Sequence, residues 1–205
     1  MASSVSNLLL SPAWVYYAPT GEALPSNNSI EFGETWGGNW VNLGWTLNPV
    51  AFSYNQELQD YEVEQLLTPV MRRRNKEGAM FEMTLAEVTG TNLNLAMDGT
   101  ITTVAAGAGA RATETIEFGG KTFISQYTFG LEGLLKYDGA TLNIPLPVRI
   151  QLFLCTAKIN GKFEFAKKSL ADIPFQIEAV ADPSKVVGKQ IGKIVRVTGK
   201  ATDET

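Results

Sequence analysis

The sequence contains no histidine, and Cys155 is its single cysteine in 205 residues. The first absence removes the commonest general base, the Ser–His and Cys–His pairs of nucleophilic catalysis, and the usual zinc ligand. The second excludes an intramolecular disulfide and a thiolate metal cluster. Cys155 lies in VRIQLFLCTA (148–157), an apolar run in which a small buried thiol is the ordinary assignment. No stretch reaches about 18 consecutive apolar residues, so no membrane span is expected. MASSVSNLLLSPAW has a short apolar patch without a positively charged lead, and it is not expected to act as a signal peptide.

Positive charge is also missing from the first third. Residues 1–71 hold seven acids and no Lys or Arg, a net of −7. The remainder holds 17 cations against 14 acids, a net of +3. Arg72, Arg73, Arg74 and Lys76 open this second part together. Such asymmetry fits a nucleic-acid contact, or a polar contact in which one end of a molecule meets the other end of a neighbour.

What is present is glycine, turn residues and short runs of strand formers, which points to a mainly β fold. Residues 1–38 are rich in Ser, Pro, Asn and Gly and are expected to form an extended arm with loops. The expected strands cover 40–46, 50–54, 57–65, 79–89, 113–118, 122–129, 147–156, 162–167, 173–181 and 192–199. A bulge is expected in 57–65, where the alternation is imperfect. The strands 113–118 and 122–129 are read as a pair about Gly119-Gly120, and 147–156 and 162–167 as a pair about Asn160-Gly161. One short helix is expected over 92–97, capped by Thr91 and ended by Asp98-Gly99, with Leu93 and Met97 on one stripe. VAAGAGARA (104–112) lacks the Gly-Lys-Ser/Thr of a phosphate-binding loop and is read as a flexible connection. The implied organisation is an arm (1–38), one β domain (39–199) and a short tail (200–205). The fold class is a β-sandwich or barrel flanked by one short α-helix.

The search for chemistry finds little. Glu62 and Glu64 would share a face if both lay on a strand, a spacing that a two-carboxylate glycosidase would use and a solvated acidic stripe would show equally well. The cationic cluster at 72–76 is flanked by Pro69 and Gly78 and lacks aromatics for base stacking, so it is read as an exposed loop. All four tryptophans, Trp14, Trp36, Trp40 and Trp45, fall early. They are read as core or subunit-interface residues rather than a sugar platform, because no paired polar groups accompany them. No enzyme, cofactor or metal is expected.

The succession WVNLGWT (40–46), FSYNQELQDYEVEQLLTPV (52–70), FEMTLAEVTGTNLNLAM (81–97) and IPFQIEAVADPS (173–184) resembles bacteriophage tail tube, or major tail, proteins. The similarity spans about residues 30–195, and the Ala/Gly loop at 104–112 and the length of the N-terminal arm depart from the family pattern. The resemblance implies six copies in a ring, their inner strands joined into one intermolecular β-barrel, with rings stacked head to tail into a conduit for genomic DNA. It also implies a place in the virion tail, assembly in the host cytoplasm, and contacts with the tape measure, tail terminator and baseplate or tip proteins. On this view Glu57, Glu62, Glu64 and Glu82 line the lumen, repelling phosphate so that DNA slides without sequence-specific binding. Arg72, Arg73, Arg74, Lys76, Trp14 and Trp36 make inter-subunit contacts. The alternatives are another β-sandwich virion component, such as a baseplate or decoration protein, and a carbohydrate-binding module.

Overall fold

The computed structural model describes residues 12–25, 30–135, 146–163 and 171–197. The chain is mainly β. Its elements are β1 (Trp14–Pro19), β2 (Val41–Asn42), β3 (Ala51–Tyr61), β4 (Met71–Leu85), α1 (Gly90–Met97), β5 (Thr100–Val104), β6 (Thr113–Glu117), β7 (Tyr127–Leu135), β8 (Leu146–Ile159), β9 (Ile173–Val180) and β10 (Gly192–Arg196). Eight strands form one antiparallel sheet in the order β2-β1-β7-β8-β9-β4-β3, with β10 on β8. β9 pairs with the second half of β8 and β10 with the first half, so the two follow each other along one edge of that long strand. β5 and β6 form a separate hairpin. Among the described residues the large sheet is open, not a closed barrel.

Period-2 alternation decides what each strand buries. In β4, Phe81, Met83 and Leu85 point into the core, as expected from the sequence. Ile173, Phe175 and Ile177 of β9, Phe129 and Leu131 of β7, Leu152 of β8 and Val15 of β1 meet them there. Leu95 and Ala96 of α1 close this core from one side. Each such side chain, fully buried, contributes roughly 1.5–3 kcal/mol. The opposite face of β1 carries Tyr16 and Ala18 into a second cluster with Trp36 and Trp40. Tyr16 stacks on Trp36 with ring centres 4.1 Å apart.

Several expectations need correction. Residues 14–19 are an internal strand between β2 and β7 rather than part of an arm, because Val15 and Tyr16 each have a core to enter. The cationic cluster lies within β4, not in a loop. Residues 51–61 form one strand with its irregularity at Glu57/Leu58, and it ends at Tyr61, before Glu62. β6 turns back onto β5, a strand not expected from TITTV, and does not pair with β7. β8 pairs with β9; Lys162 and Phe163 are not in a strand, and 164–167 lie outside the described residues. The helix begins two residues earlier than expected. Thr89, not Thr91, is its cap: the hydroxyl accepts from the Asn92 amide at 3.1 Å. It stops at Asp98, which adopts φ 49°. Residues 1–11, most of the expected arm's start, and the tail at 200–205 are outside the described residues.

Candidate functional site

The feature that the core does not explain is the β3–β4 hairpin. Pairing of β4 with β9 stops at Met80, opposite Glu178. From there Met71 to Glu77 run on, paired only with β3, and all are exposed. The result is a two-stranded ribbon projecting from the sheet, tipped by residues 62–70.

A register irregularity decides what each face of the ribbon shows. Glu57 stands opposite Lys76, but the next pair is Leu58 with Arg74, so β4 carries one extra residue, Asn75. Such a bulge reverses which alternate side chains share a face beyond it. Arg74 and Arg72 therefore join Tyr54, Glu77 and Asp60 on the face continuous with the core. There Arg72 grips Asp60 through two hydrogen bonds, at 2.5 and 2.8 Å. Glu77 accepts from Tyr54 and from Arg74, both at 2.7 Å. The Arg72 donors hold the Asp60 carboxyl below the usual carboxylate range. The Tyr54 hydroxyl, with Arg74, does the same for Glu77, and the shared proton raises Tyr54. Two members of the cationic cluster are thus neutralised within their own hairpin. This is why arginines occupy a strand here: opposite charge, across the strands for Arg72 and along β4 for Arg74, replaces burial.

The other face of the ribbon carries Glu57, Lys76 and Arg73, and it is continuous with the polar face of the sheet. Glu82, Gln176, Glu178 and Lys158 lie along it by register. Lys158 donates to Glu178 at 2.6 Å, and Asn160 donates to Glu82 at 3.3 Å. Glu57 and Glu82, both expected to face a lumen, therefore share one open face, although acids and cations alternate on it. Glu62 and Glu64 do not join them. They sit past the end of β3 in the tip, so the strand geometry that would align two carboxylates is absent.

The tryptophans separate. Trp36 is 1% exposed and lies over Gly130, where an added Cβ would run into its ring. Its indole N–H donates to Glu132 at 3.4 Å. Glu132 also accepts from the Gly33 amide at 3.0 Å and from Arg149 at 2.9 Å. Trp36 is therefore core, with no free face for a neighbour. Trp40 donates to the Ala23 carbonyl at 2.7 Å, Trp14 is half-buried, and Trp45 is 70% exposed.

The Glu132–Arg149 pair was not singled out by sequence, since isolated charges in apolar runs look like register errors until the partner strand is known. Both are wholly buried. Arg149 also donates to the Ile30 carbonyl at 2.8 Å and lies over the Trp36 ring. The cluster fastens the 30–36 segment to the sheet.

A second feature missed by sequence is a groove of about 320 Å³ between the base of the hairpin and β10. Its signal was the spacing of Lys189, Ile191, Lys193 and Ile194 around two glycines. Among the described residues, no group of three or more His, Cys, Asp or Glu is placed to hold a metal ion. Cys155 is buried, which raises its thiol well above its ordinary value. No helix among the described residues is long and apolar enough to cross a membrane. No family model matches the chain, and no curated protein matches it.

Proposed function

We propose that this chain is a self-associating structural subunit of the bacteriophage tail tube type, six copies forming a ring and rings stacking into a hollow conduit for DNA. The observation that carries this reading is the projecting β3–β4 ribbon. An isolated two-stranded ribbon is marginal in water, and unpaired strand edges invite pairing with another chain. The outer edge of β3 and the edge of β10 away from β8 have no strand partner among the described residues. A neighbour in a ring would cover both, and joining edges from several chains into one barrel removes them. The six-fold number and the tape measure, terminator and baseplate or tip partners come from the sequence resemblance. The open polar face bearing Glu57 and Glu82 is the surface we assign to the lumen. Glu57, Glu82 and Glu178 interrupt the cations Arg73, Lys76 and Lys158 on it, so passing phosphates meet no continuous cationic track. Residence in the virion tail follows from the same reading.

The test is negative-stain electron microscopy of the purified protein across a concentration series, with light scattering on the same samples. Rings or hollow tubes are expected, with scattering rising as they form. A particle that stays monomeric at the highest concentration and on addition of preformed tubes would overturn the reading in favour of a decoration-type domain.

A further inference from the structure

The tip of the ribbon and the groove at its base are chemically complementary. The tip presents Glu62 and Glu64 beside Leu66 and Leu67, with no cation between Tyr61 and Met71. Leu67 is fully exposed, at 106%. The groove presents the opposite set. Phe52, Ile150, Ile191 and Ile194 supply its apolar lining; Arg74 and Glu77 also line it but pair with each other, which leaves Lys189 and Lys193 as its excess charge. None of Glu62, Glu64, Lys189 and Lys193 takes part in the ion pairs of the described residues. The free edge of β10 runs beside the groove, so backbone donors and acceptors are on offer as well.

Within one chain the tip acids make no ion pair with these lysines. The groove's lining runs from Phe52 out to Arg74, which stands opposite Leu58, and β3 continues three residues beyond that to Tyr61, roughly 10 Å at about 3.3 Å per residue, before the tip begins. The tip therefore reaches the groove of another copy. Because the two surfaces differ, the contact is heterologous and propagates head to tail.

We infer that the tip of each copy docks into the groove of the next, with Leu66 and Leu67 entering the apolar lining and Glu62 and Glu64 pairing with Lys189 and Lys193. This rests on the self-association reading above and names its contact. It also accounts for the hairpin's own arginines, Arg72 and Arg74, being neutralised internally: they stiffen the ribbon and leave the docking charges to the tip.

The experiment is disulfide trapping between two single variants, Leu67→Cys and Ile194→Cys, mixed at a concentration where scattering reports assembly. Cys155 is buried and does not compete. A dimer band is expected on a non-reducing gel from the mixture and not from either variant alone. Adding Glu62→Lys with Glu64→Lys to the Leu67→Cys chain should lower the band by about tenfold, and Lys189→Glu with Lys193→Glu on the other chain should restore it. Assembly without the mixed disulfide overturns this docking and leaves self-association standing. A band unchanged by charge reversal overturns the acid–base pairing. Neither assembly nor disulfide at any concentration overturns both proposals.

Discussion

Glu132 and Arg149 stand opposite each other across β7 and β8 with no solvent contact. Taking two charges out of water is expensive, and the pair is tolerable only because every partner is in place: the Gly33 amide, the Trp36 indole and the Ile30 carbonyl. Removing one partner strands the other charge. Glu132→Ala is expected to lower unfolding free energy by about 3–5 kcal/mol, whereas Glu132→Leu with Arg149→Met should fall well short of that loss. Urea unfolding of the unmodified protein and the two variants checks this; a double variant as unstable as the single would show that the pair itself, not the stranded charge, matters. Tyr16 lies in the same cluster. Burial, with the nearby Glu132 charge, pushes its hydroxyl up to about 12 from 10.0. The unfolded chain loses that proton near pH 10, while the folded chain holds it until about 12. The contribution is therefore present below pH 10 and is lost as pH rises towards 12. Tyr16→Phe should flatten the fall in stability across this window, read by denaturant melts at stepped pH. An identical alkaline slope in both proteins would refute the assignment.

At the scale of elements, the strands with one buried face were legible because alternation is a direct record of burial. β4 from Phe81 onward and β9 are the cases, whereas β8 buries both faces over its first half, Arg149 and Gln151 on one and Leu152 on the other. The first half of β4 was not legible, since MRRRNKEG has no apolar alternation to read. It is a strand because Asp60 and Tyr54 of β3 answer Arg72 and the Arg74–Glu77 pair, and those partners lie on an element a single sequence does not align. β5 escaped for the same reason: all five of its residues are exposed. The open polar face was half-legible. Glu57 and Glu82 fall on it together only because of the register between β3, β4 and β9, while Glu62 and Glu64 lie past the strand's end. The helix shows how small the margin between neighbouring signals is, since Thr89 and Thr91 both precede polar residues. Only Thr89 reaches an amide three residues on, Asn92, whose own side chain then donates to the Leu43 and Glu87 carbonyls at 2.9 Å. Thr89→Ala is expected to cost about 1 kcal/mol and Thr91→Ala a few tenths at most. Equal losses in thermal melts would return the cap to Thr91.

At the scale of the whole molecule, the sheet and the ribbon divide the work. The core side chains Phe81, Met83, Leu85, Phe175 and Ile177 all lie on the sheet side of Ala79, and the ribbon beyond contributes no buried apolar residue. Stability and assembly should therefore separate. Asn55 stands directly opposite Gly78, and the next pair inward is Tyr54 with Ala79. Deleting residues 56–77 and joining Asn55 to Gly78 leaves Asn-Gly between two paired residues, the combination a tight two-residue hairpin turn favours. The shortened chain is expected to keep its urea midpoint to within about 1 kcal/mol of unfolding free energy, as a surface change away from the core should. It is also expected to form no rings or tubes at any concentration at which the full chain does. If it unfolds, the ribbon is part of the folding unit and its exposure misleads. If it folds and still assembles, the contacts that build the tube lie elsewhere, and the tip-to-groove docking falls with it. Folding without assembly is the outcome that a ribbon kept for neighbours alone requires.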